Sequence, residues 1–101
     1  MSTALPKEDN YSIDPHETLT GKIVQLETAT ETMMAYFGYL NTQIMNEEAQ
    51  PVPNQNRIKA LEDQMQQISK ERREITPENG RLIAKALYVY APIMKAFYAA
   101  E

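Results

Sequence analysis

The apolar positions between residues 15 and 48 recur at alternating steps of four and three, which predicts one long helix. The repeating positions are Leu19, Ile23, Leu26, Thr30, Met33, Phe37, Leu40 and Ile44. This heptad seam, polar only at Thr30, predicts contact with other helices along its length and self-association of the chain through these residues. Neighbouring apolar residues such as Val24 and Met34 widen the stripe, which favours a multi-helix bundle over a two-stranded coiled coil.

The start of this helix carries a capping signal. Asp14 can accept hydrogen bonds from the first free backbone N–H groups, and Pro15 suits the first helical turn. Residues 1–13 show no periodicity and are interpreted as a mobile N-terminal arm. The sequence therefore predicts a helix over about 15–48, within a single helical domain that covers residues 14–101.

Prolines separate this helix from a second one. Pro51 and Pro53 interrupt the helical pattern, and a new pattern predicts a helix over about 56–75. Its apolar positions are Ile58, Leu61, Met65, Ile68 and Ile75, with Arg72 at the skipped seam position. The remaining positions are charged or glutamine-rich, so this helix is predicted to bury only a narrow stripe.

A third helix, over about 77–100, is much more apolar. Thr76 is its predicted N-cap and Pro77 its predicted first residue, because threonine is favoured at the N-cap and proline at the first helical position. Pro92 lies inside the segment and is expected to free the carbonyl of Tyr88 and kink the helix.

The predicted fold is all-α, a three-helix antiparallel bundle with one long heptad-patterned N-terminal helix. At about 1.5 Å per residue, the first helix would be ~50 Å long and the others ~30–36 Å. Neither shorter helix can cover the whole seam. We therefore expect a homo-oligomer, a homodimer in the simplest case, to complete the bundle.

Charge is distributed unevenly along this acidic chain of net charge −4. Residues 1–50 hold two lysines against eight acidic residues, a balance of −6, whereas residues 51–101 hold eight basic against six acidic residues, a balance of +2. This asymmetry favours association between complementary surfaces. Cysteine is absent and the first residues lack a secretory signal pattern, so a cytoplasmic location is expected.

The candidate chemistry is sparse. His16 has no second histidine to complete a metal site, and the one-turn pair Glu27 and Glu31 lacks the Glu-x-x-His motifs of carboxylate-bound metal centres. No serine lies in a nucleophile-elbow context, and no glycine-rich phosphate loop is present. We therefore expect no enzymatic activity, no metal and no cofactor.

Nucleic-acid and membrane binding are also disfavoured. The basic run at residues 70–73 is interrupted by Glu71 in a chain that is acidic overall. The apolar stretch 82–100 approaches the length of a membrane span, but Lys85, Lys95 and Pro92 interrupt it. Both lysines can lie off the apolar stripe, so a helix buried in the bundle is the preferred interpretation.

Surplus tyrosines suggest a binding surface, because tyrosine combines large contact area with a polar tip. The predicted partner-binding residues are Glu27, Glu31, Tyr39, Tyr88 and Tyr98. The sequence thus favours a non-enzymatic inhibitor or adaptor that docks a helical face onto a larger protein. In size and composition alone it is similar to small acidic immunity proteins, secretion chaperones and anti-defence inhibitors. Alternatives are a self-assembling subunit of a phage or secretion apparatus, and a nucleic-acid-associated regulator that uses the second helix.

Overall fold

The computed structural model of the protein describes residues 18–100. Of these residues 84% are helical, and none of them forms a strand, which confirms the predicted all-α class. The elements are α1 (Leu19–Glu48), α2 (Gln55–Glu74), α3 (Gly80–Lys85), a π-helical turn (Ala86–Tyr90) and α4 (Ala91–Ala99). The last three follow one another without a break, and we call them together the C-terminal segment (80–99).

The first helix begins later than the sequence suggested. Thr18 has an extended backbone, and its side chain accepts a hydrogen bond of 2.9 Å from the N–H of Gly21, so Thr18 is the N-cap. An extended residue cannot continue a helical hydrogen-bond pattern, so the predicted unbroken helix from Pro15 is wrong at its start. The predicted cap Asp14 and the predicted arm at residues 1–13 lie outside the described residues.

The proline-containing connector is fixed by one carboxylate. Glu47 accepts a hydrogen bond of 3.0 Å from the backbone N–H of Asn54 and pairs with Arg57 at 3.4 Å. Asn54 in turn caps α2 by accepting a hydrogen bond of 3.1 Å from the N–H of Arg57. The end of α1 and the start of α2 are thus tied together, within one residue of the boundary that the prolines predicted.

The connection after α2 differs from the prediction. Thr76 and Pro77 belong to a turn in which the carbonyl of Thr76 accepts a hydrogen bond of 3.0 Å from the N–H of Asn79. Asn79 is the N-cap, since its side chain accepts a hydrogen bond of 3.2 Å from the N–H of Leu82. Pro77 suits the second position of such a turn as well as it suits a helix start, which explains the misplaced boundary.

Pro92 is accommodated by the π-helical turn that precedes it. The N–H of Ala91 bonds to the carbonyl of Ala86, five residues back, and Pro92 then lies in the first turn of α4. Proline has no N–H to donate, and the π-helical turn changes the hydrogen-bond pattern of the helix at the point where that donor is missing. The extra residue in the turn also lets Ala86, Tyr90 and Met94, four residues apart, all point inward.

The three helical regions pack against each other around one core. The buried apolar residues are Ala29, Met33, Tyr36, Leu40 and Ile44 of α1, Ile58, Leu61 and Ile68 of α2, and Leu82, Ile83, Ala86, Tyr90 and Met94 of the C-terminal segment. None of the helices within residues 18–100 combines the length and the apolar character needed to cross a membrane.

The core uses only part of the heptad seam. Met33, Leu40 and Ile44 are buried, Leu26 and Thr30 are half-buried, and Leu19, Ile23 and Phe37 are exposed. Tyr36 occupies the core at the level where Phe37 was expected to do so. Adjacent residues point about 100° apart on a helix, so the covered face of α1 is rotated away from the seam. Part of the seam is left without cover from residues 18–100.

Candidate functional site

A buried carboxylate joins α2 to the C-terminal segment. Glu71 is 2% exposed and accepts a hydrogen bond of 2.8 Å from the Nε2 atom of Gln67. It also accepts one of 2.5 Å from the Tyr90 hydroxyl and one from the ammonium group of Lys85. The Lys85 nitrogen lies 5.4 Å from the centre of the Tyr90 ring. We call Glu71, Lys85, Tyr90 and Gln67 together the Glu71 cluster. The buried carboxylate thus receives hydrogen bonds from all three of the other residues.

The groups in this cluster shift one another's protonation. Burial by itself raises the pKa of Glu71, but hydrogen bonds from Gln67, Lys85 and Tyr90 outweigh it, and the pKa is lowered. The hydrogen bond to Glu71 raises the pKa of Lys85. Burial, followed by the hydrogen bond to the Glu71 carboxylate, raises the pKa of Tyr90. The cluster is thus stable as a carboxylate, an ammonium ion and a neutral phenol.

These shifts predict how stability depends on pH. Because the pKa of Glu71 is lower in the folded chain, its stabilising effect is complete above its unfolded value and disappears as the pH falls through the folded value. The raised pKa of Lys85 acts in the opposite direction, so its contribution disappears as the pH rises through the folded value. Urea unfolding from pH 2 to pH 11 should show losses on both sides of a plateau. A Glu71→Gln variant should show a weaker acidic loss, and an unchanged acidic limb would contradict the assignment.

Stacked aromatic rings continue from this cluster across the core. The Tyr36 and Tyr90 rings stack with their centres 4.5 Å apart, and the Tyr36 hydroxyl donates a hydrogen bond of 3.1 Å to Gln64. Tyr39 stacks on Tyr36 at 5.8 Å and meets Phe97 edge-on at 5.0 Å. Aromatic pairs in these geometries contribute about 0.5–1.5 kcal/mol beyond their buried area. Together they fix α4 against α1.

Tyr39 was predicted to face solvent as a docking residue, and this is wrong. It is half-buried between Tyr36 and Phe97, because the C-terminal segment covers this side of α1. By contrast, Tyr88 is 72% exposed and Tyr98 is 55% exposed. Glu27 and Glu31 are also exposed, as predicted. Four of the proposed binding residues therefore remain accessible to a partner.

A surface groove between α1 and the C-terminal segment brings several of these residues together. We call it the α1–C groove, and two shallow pockets of about 270 and 280 Å³ lie along it. The α1 side is lined by Lys22, Gln25, Thr28, Glu31, Thr32 and Ala35, and the opposite side includes Ala84, Tyr88, Ala91 and Tyr98. Glu27 lines neither pocket. Two exposed tyrosines, one in each pocket, thus border a groove whose lining includes the three alanines Ala35, Ala84 and Ala91.

The structure also locates the basic run at residues 70–73 and the acidic residues that were considered as metal ligands. Arg72, expected at a seam position, is exposed, and its neighbour Glu71 is the buried residue instead. Among residues 18–100, no three His, Cys, Asp or Glu side chains lie close enough to hold a metal ion. His16 lies outside the described residues.

Sequence reasoning missed the Glu71 cluster because it placed Lys85 off the apolar stripe. Lys85 is half-buried, with its ammonium group directed at Glu71. A lysine inside an otherwise apolar helix was the available signal, since a partly buried cation needs an acidic partner.

Comparison of the chain with protein-family models, with curated proteins and with solved structures found no match.

Proposed function

We propose that this protein is a non-enzymatic binding module, an inhibitor or adaptor that docks onto a larger protein through the α1–C groove. The observation that carries the proposal is the pair of exposed tyrosines, Tyr88 and Tyr98, that border the groove. Large exposed aromatic side chains are costly to leave in water and are enriched at the centres of protein interfaces.

The groove suits a helical or extended segment of the partner. Ala84, Ala91 and Ala35 are among the lining residues, so a partner backbone can approach closely at these points, and Leu87 adds apolar contact area. Tyr88 and Tyr98 are ten residues apart, about 15 Å along a helix, which is close to three helical turns of a partner. This matches the mode in which an amphipathic helix lies in a groove and inserts residues from successive turns.

The end of the groove at Tyr98 is already ordered in the free chain. The Tyr98 ring packs against Phe97 with centres 5.7 Å apart, and Phe97 packs against Tyr39 beneath it. A docking residue that is already ordered loses less conformational entropy on binding. Tyr39 therefore supports the proposed site from below, although it is not a contact residue.

The bundle that presents this groove is proposed to be antiparallel between α1 and α2. Support comes from side-chain pairs along the two helices. Glu47 near the end of α1 pairs with Arg57 near the start of α2, and Tyr36 further back on α1 bonds to Gln64 further along α2. Such an arrangement leaves residues 19–27 of α1 beyond the end of α2.

Binding by the groove predicts the effect of two substitutions. Tyr88→Ala and Tyr98→Ala should each weaken partner capture by about 30-fold, because truncating a central interface tyrosine costs about 2 kcal/mol. The test is affinity capture from host extract with quantitative mass spectrometry, followed by kinetics on the captured protein. Met45→Ala, an exposed apolar residue that lines neither groove pocket, is the matched control.

The outcomes of this experiment are distinct. Loss of the same protein with both tyrosine variants, and retention with Met45→Ala, supports the groove. Equal capture by all variants would exclude it. Glu31→Lys should slow association in a salt-dependent manner without changing dissociation, because rim charges act mainly on encounter rates.

A self-assembling subunit is the second candidate, favoured by the exposed apolar residues Leu19, Ile23 and Phe37 of α1. Light scattering over a concentration series separates the two. Growth without a limit indicates an assembly subunit, and a closed small oligomer fits an adaptor.

A further inference from the structure

We infer that the part of the α1 seam that residues 18–100 leave exposed binds a second copy of this chain around a two-fold axis parallel to α1. The seam face consists of Leu19, Ile23, Thr30, Met34 and Phe37, and it is bordered on one side by residues of α2. This inference goes beyond the proposed groove function, since it uses a different side of α1 and stands independently of any other partner.

The first support is the apolar character of the seam face. Leu19 is 69% exposed and Phe37 is 39% exposed, and Ile23 and Met34 are also exposed. These residues follow the heptad spacing or lie beside it, so they form a continuous strip along one side of α1. A continuous apolar strip on the surface is typical of an interaction site, whereas apolar residues scattered singly over a surface are not.

The second support is the charge on the two borders of the strip. Glu27 lies one helical turn from Ile23 and about one turn from Thr30, and it is exposed. On the α2 side, Arg72 shares a surface depression with Met34 and Phe37. Lys70 and Arg73 border Phe37 in the neighbouring depression, whose acidic residue, Asp63, is paired with Lys59. The strip therefore has an acidic border on α1 and a basic border on α2.

These borders select the relative orientation of the two copies. A two-fold axis parallel to α1 places the second copy with its α1 in the same direction and its borders exchanged. Arg72 of each copy then lies over Glu27 of the other. Turning the second copy end for end keeps the borders on their own sides and opposes like charges, which is unfavourable. Self-complementarity of charge thus identifies a second copy, in parallel register, as the occupant.

Thr30 provides an independent indication. The hydroxyl groups of Thr28 and Thr32 donate to carbonyls one turn back at 3.0 and 2.8 Å. The half-buried Thr30 hydroxyl has no such bond among residues 18–100. In parallel register it faces Thr30 of the second copy, where the two hydroxyls can bond to each other. A polar residue at one seam position is a known means of fixing register.

A charge exchange tests the arrangement by analytical ultracentrifugation of the full chain. Glu27→Arg and Arg72→Glu should each raise the dimer dissociation constant by about tenfold or more, and the double variant should recover much of the loss. Both residues are exposed, so helicity by circular dichroism should not change. Phe37→Asp should prevent dimerisation. A wild-type chain that sediments as a monomer at high micromolar concentration would overturn the inference.

Cross-linking tests the register, because the chain has no cysteine of its own. Ile23→Cys and Phe37→Cys should each form a disulfide-linked dimer with themselves under mild oxidation. Lys95→Cys, exposed on α4, is the control and should not. If cross-links formed only in a mixture of the Ile23→Cys and Phe37→Cys chains, the copies would run in opposite directions and the parallel assignment would be wrong.

Discussion

Lys85→Met should destabilise the protein by about 2–4 kcal/mol, one of the largest effects expected of a single substitution outside the apolar core. The variant leaves the Glu71 carboxylate, 2% exposed, with Gln67 and Tyr90 as donors and no cation. Breaking a buried ion pair costs about 3–5 kcal/mol, because the remaining charge stays buried without compensation. The lower range applies here since the Lys85 side chain is 33% exposed.

The reverse change should cost less. Glu71→Met removes the buried charge itself, and the freed ammonium group of Lys85 can turn toward solvent from its half-buried position. The double variant Glu71→Met with Lys85→Met should be close to the wild type or more stable, because apolar residues of similar size often replace buried ion pairs without loss. The expected order of stability is therefore the double variant first, Glu71→Met next and Lys85→Met last. This order would indicate that the Glu71–Lys85 pair contributes to the specificity of packing rather than to net stability.

Urea unfolding at pH 7 measures this order directly. Lys95→Met is the matched control, since Lys95 is exposed on α4, and it should change stability by less than about 0.5 kcal/mol. An equal loss in Lys85→Met and Lys95→Met would show that the Glu71 cluster makes no net contribution. A double variant as unstable as Lys85→Met would show that packing, rather than charge, is responsible.

The cluster also explains why α2 and the C-terminal segment meet in one register. Glu71 binds Lys85 and Tyr90 at once, and these lie on either side of the start of the π-helical turn. Sliding α2 by one turn would separate the carboxylate from both partners and leave it buried without them. A satisfied polar network of this kind can specify a unique arrangement that apolar contacts alone tolerate in several versions.

The sequence was sufficient to predict three helical regions and the connector at Pro51 and Pro53. Periodicity and proline act locally, so their consequences can be derived without knowing which helices meet. The cap positions were harder to predict. Thr76 and Asn79 both offer a capping side chain, and the choice between them depends on a turn that Pro77 can join as easily as a helix.

The face of α1 that is buried could not be predicted from periodicity alone. Phe37 fits the alternating spacing of the seam, and Tyr36 is its neighbour, yet Tyr36 lies in the core. The spacing specifies a stripe on the helix but not where the other helices lie around it. Tyr36 is drawn inward by its stack on Tyr90 and its bond to Gln64, both of which are distant in sequence.

Only part of the candidate site could be predicted, because the positions of its residues also depend on how the helices pack. Tyr88 and Tyr98 were expected at the surface and are exposed, whereas Tyr39 is covered by Phe97. Residues that follow Ala86 depend on the π-helical turn, which inserts an additional residue and rotates the rest of the segment. Because Tyr90 and Tyr98 lie beyond the start of this turn, a regular helical wheel misplaces them relative to Lys85.

Because some residues of the α1 seam are buried and others are exposed, substitutions along it should differ widely in their effect on stability. Leu40→Ala should reduce stability by about 2–5 kcal/mol, because Leu40 is 1% exposed among α1, α2 and C-terminal residues and its truncation leaves a cavity. Leu19→Ala, at an equivalent heptad position, should cost less than about 0.5 kcal/mol in dilute solution, where the monomer predominates. A seam buried evenly along α1 would instead give the two variants similar losses.

Unfolding at two protein concentrations completes the comparison. The loss in Leu40→Ala should be the same at both, since Leu40 packs within one chain. Wild-type stability should rise with concentration if a second copy covers the seam face, and Leu19→Ala should reduce that rise, because association stabilises only the folded chain. A large loss in Leu19→Ala at the lower concentration would mean that the chain itself covers this end of α1. The apolar residues at the start of the helix would then belong to its own core rather than to an interface.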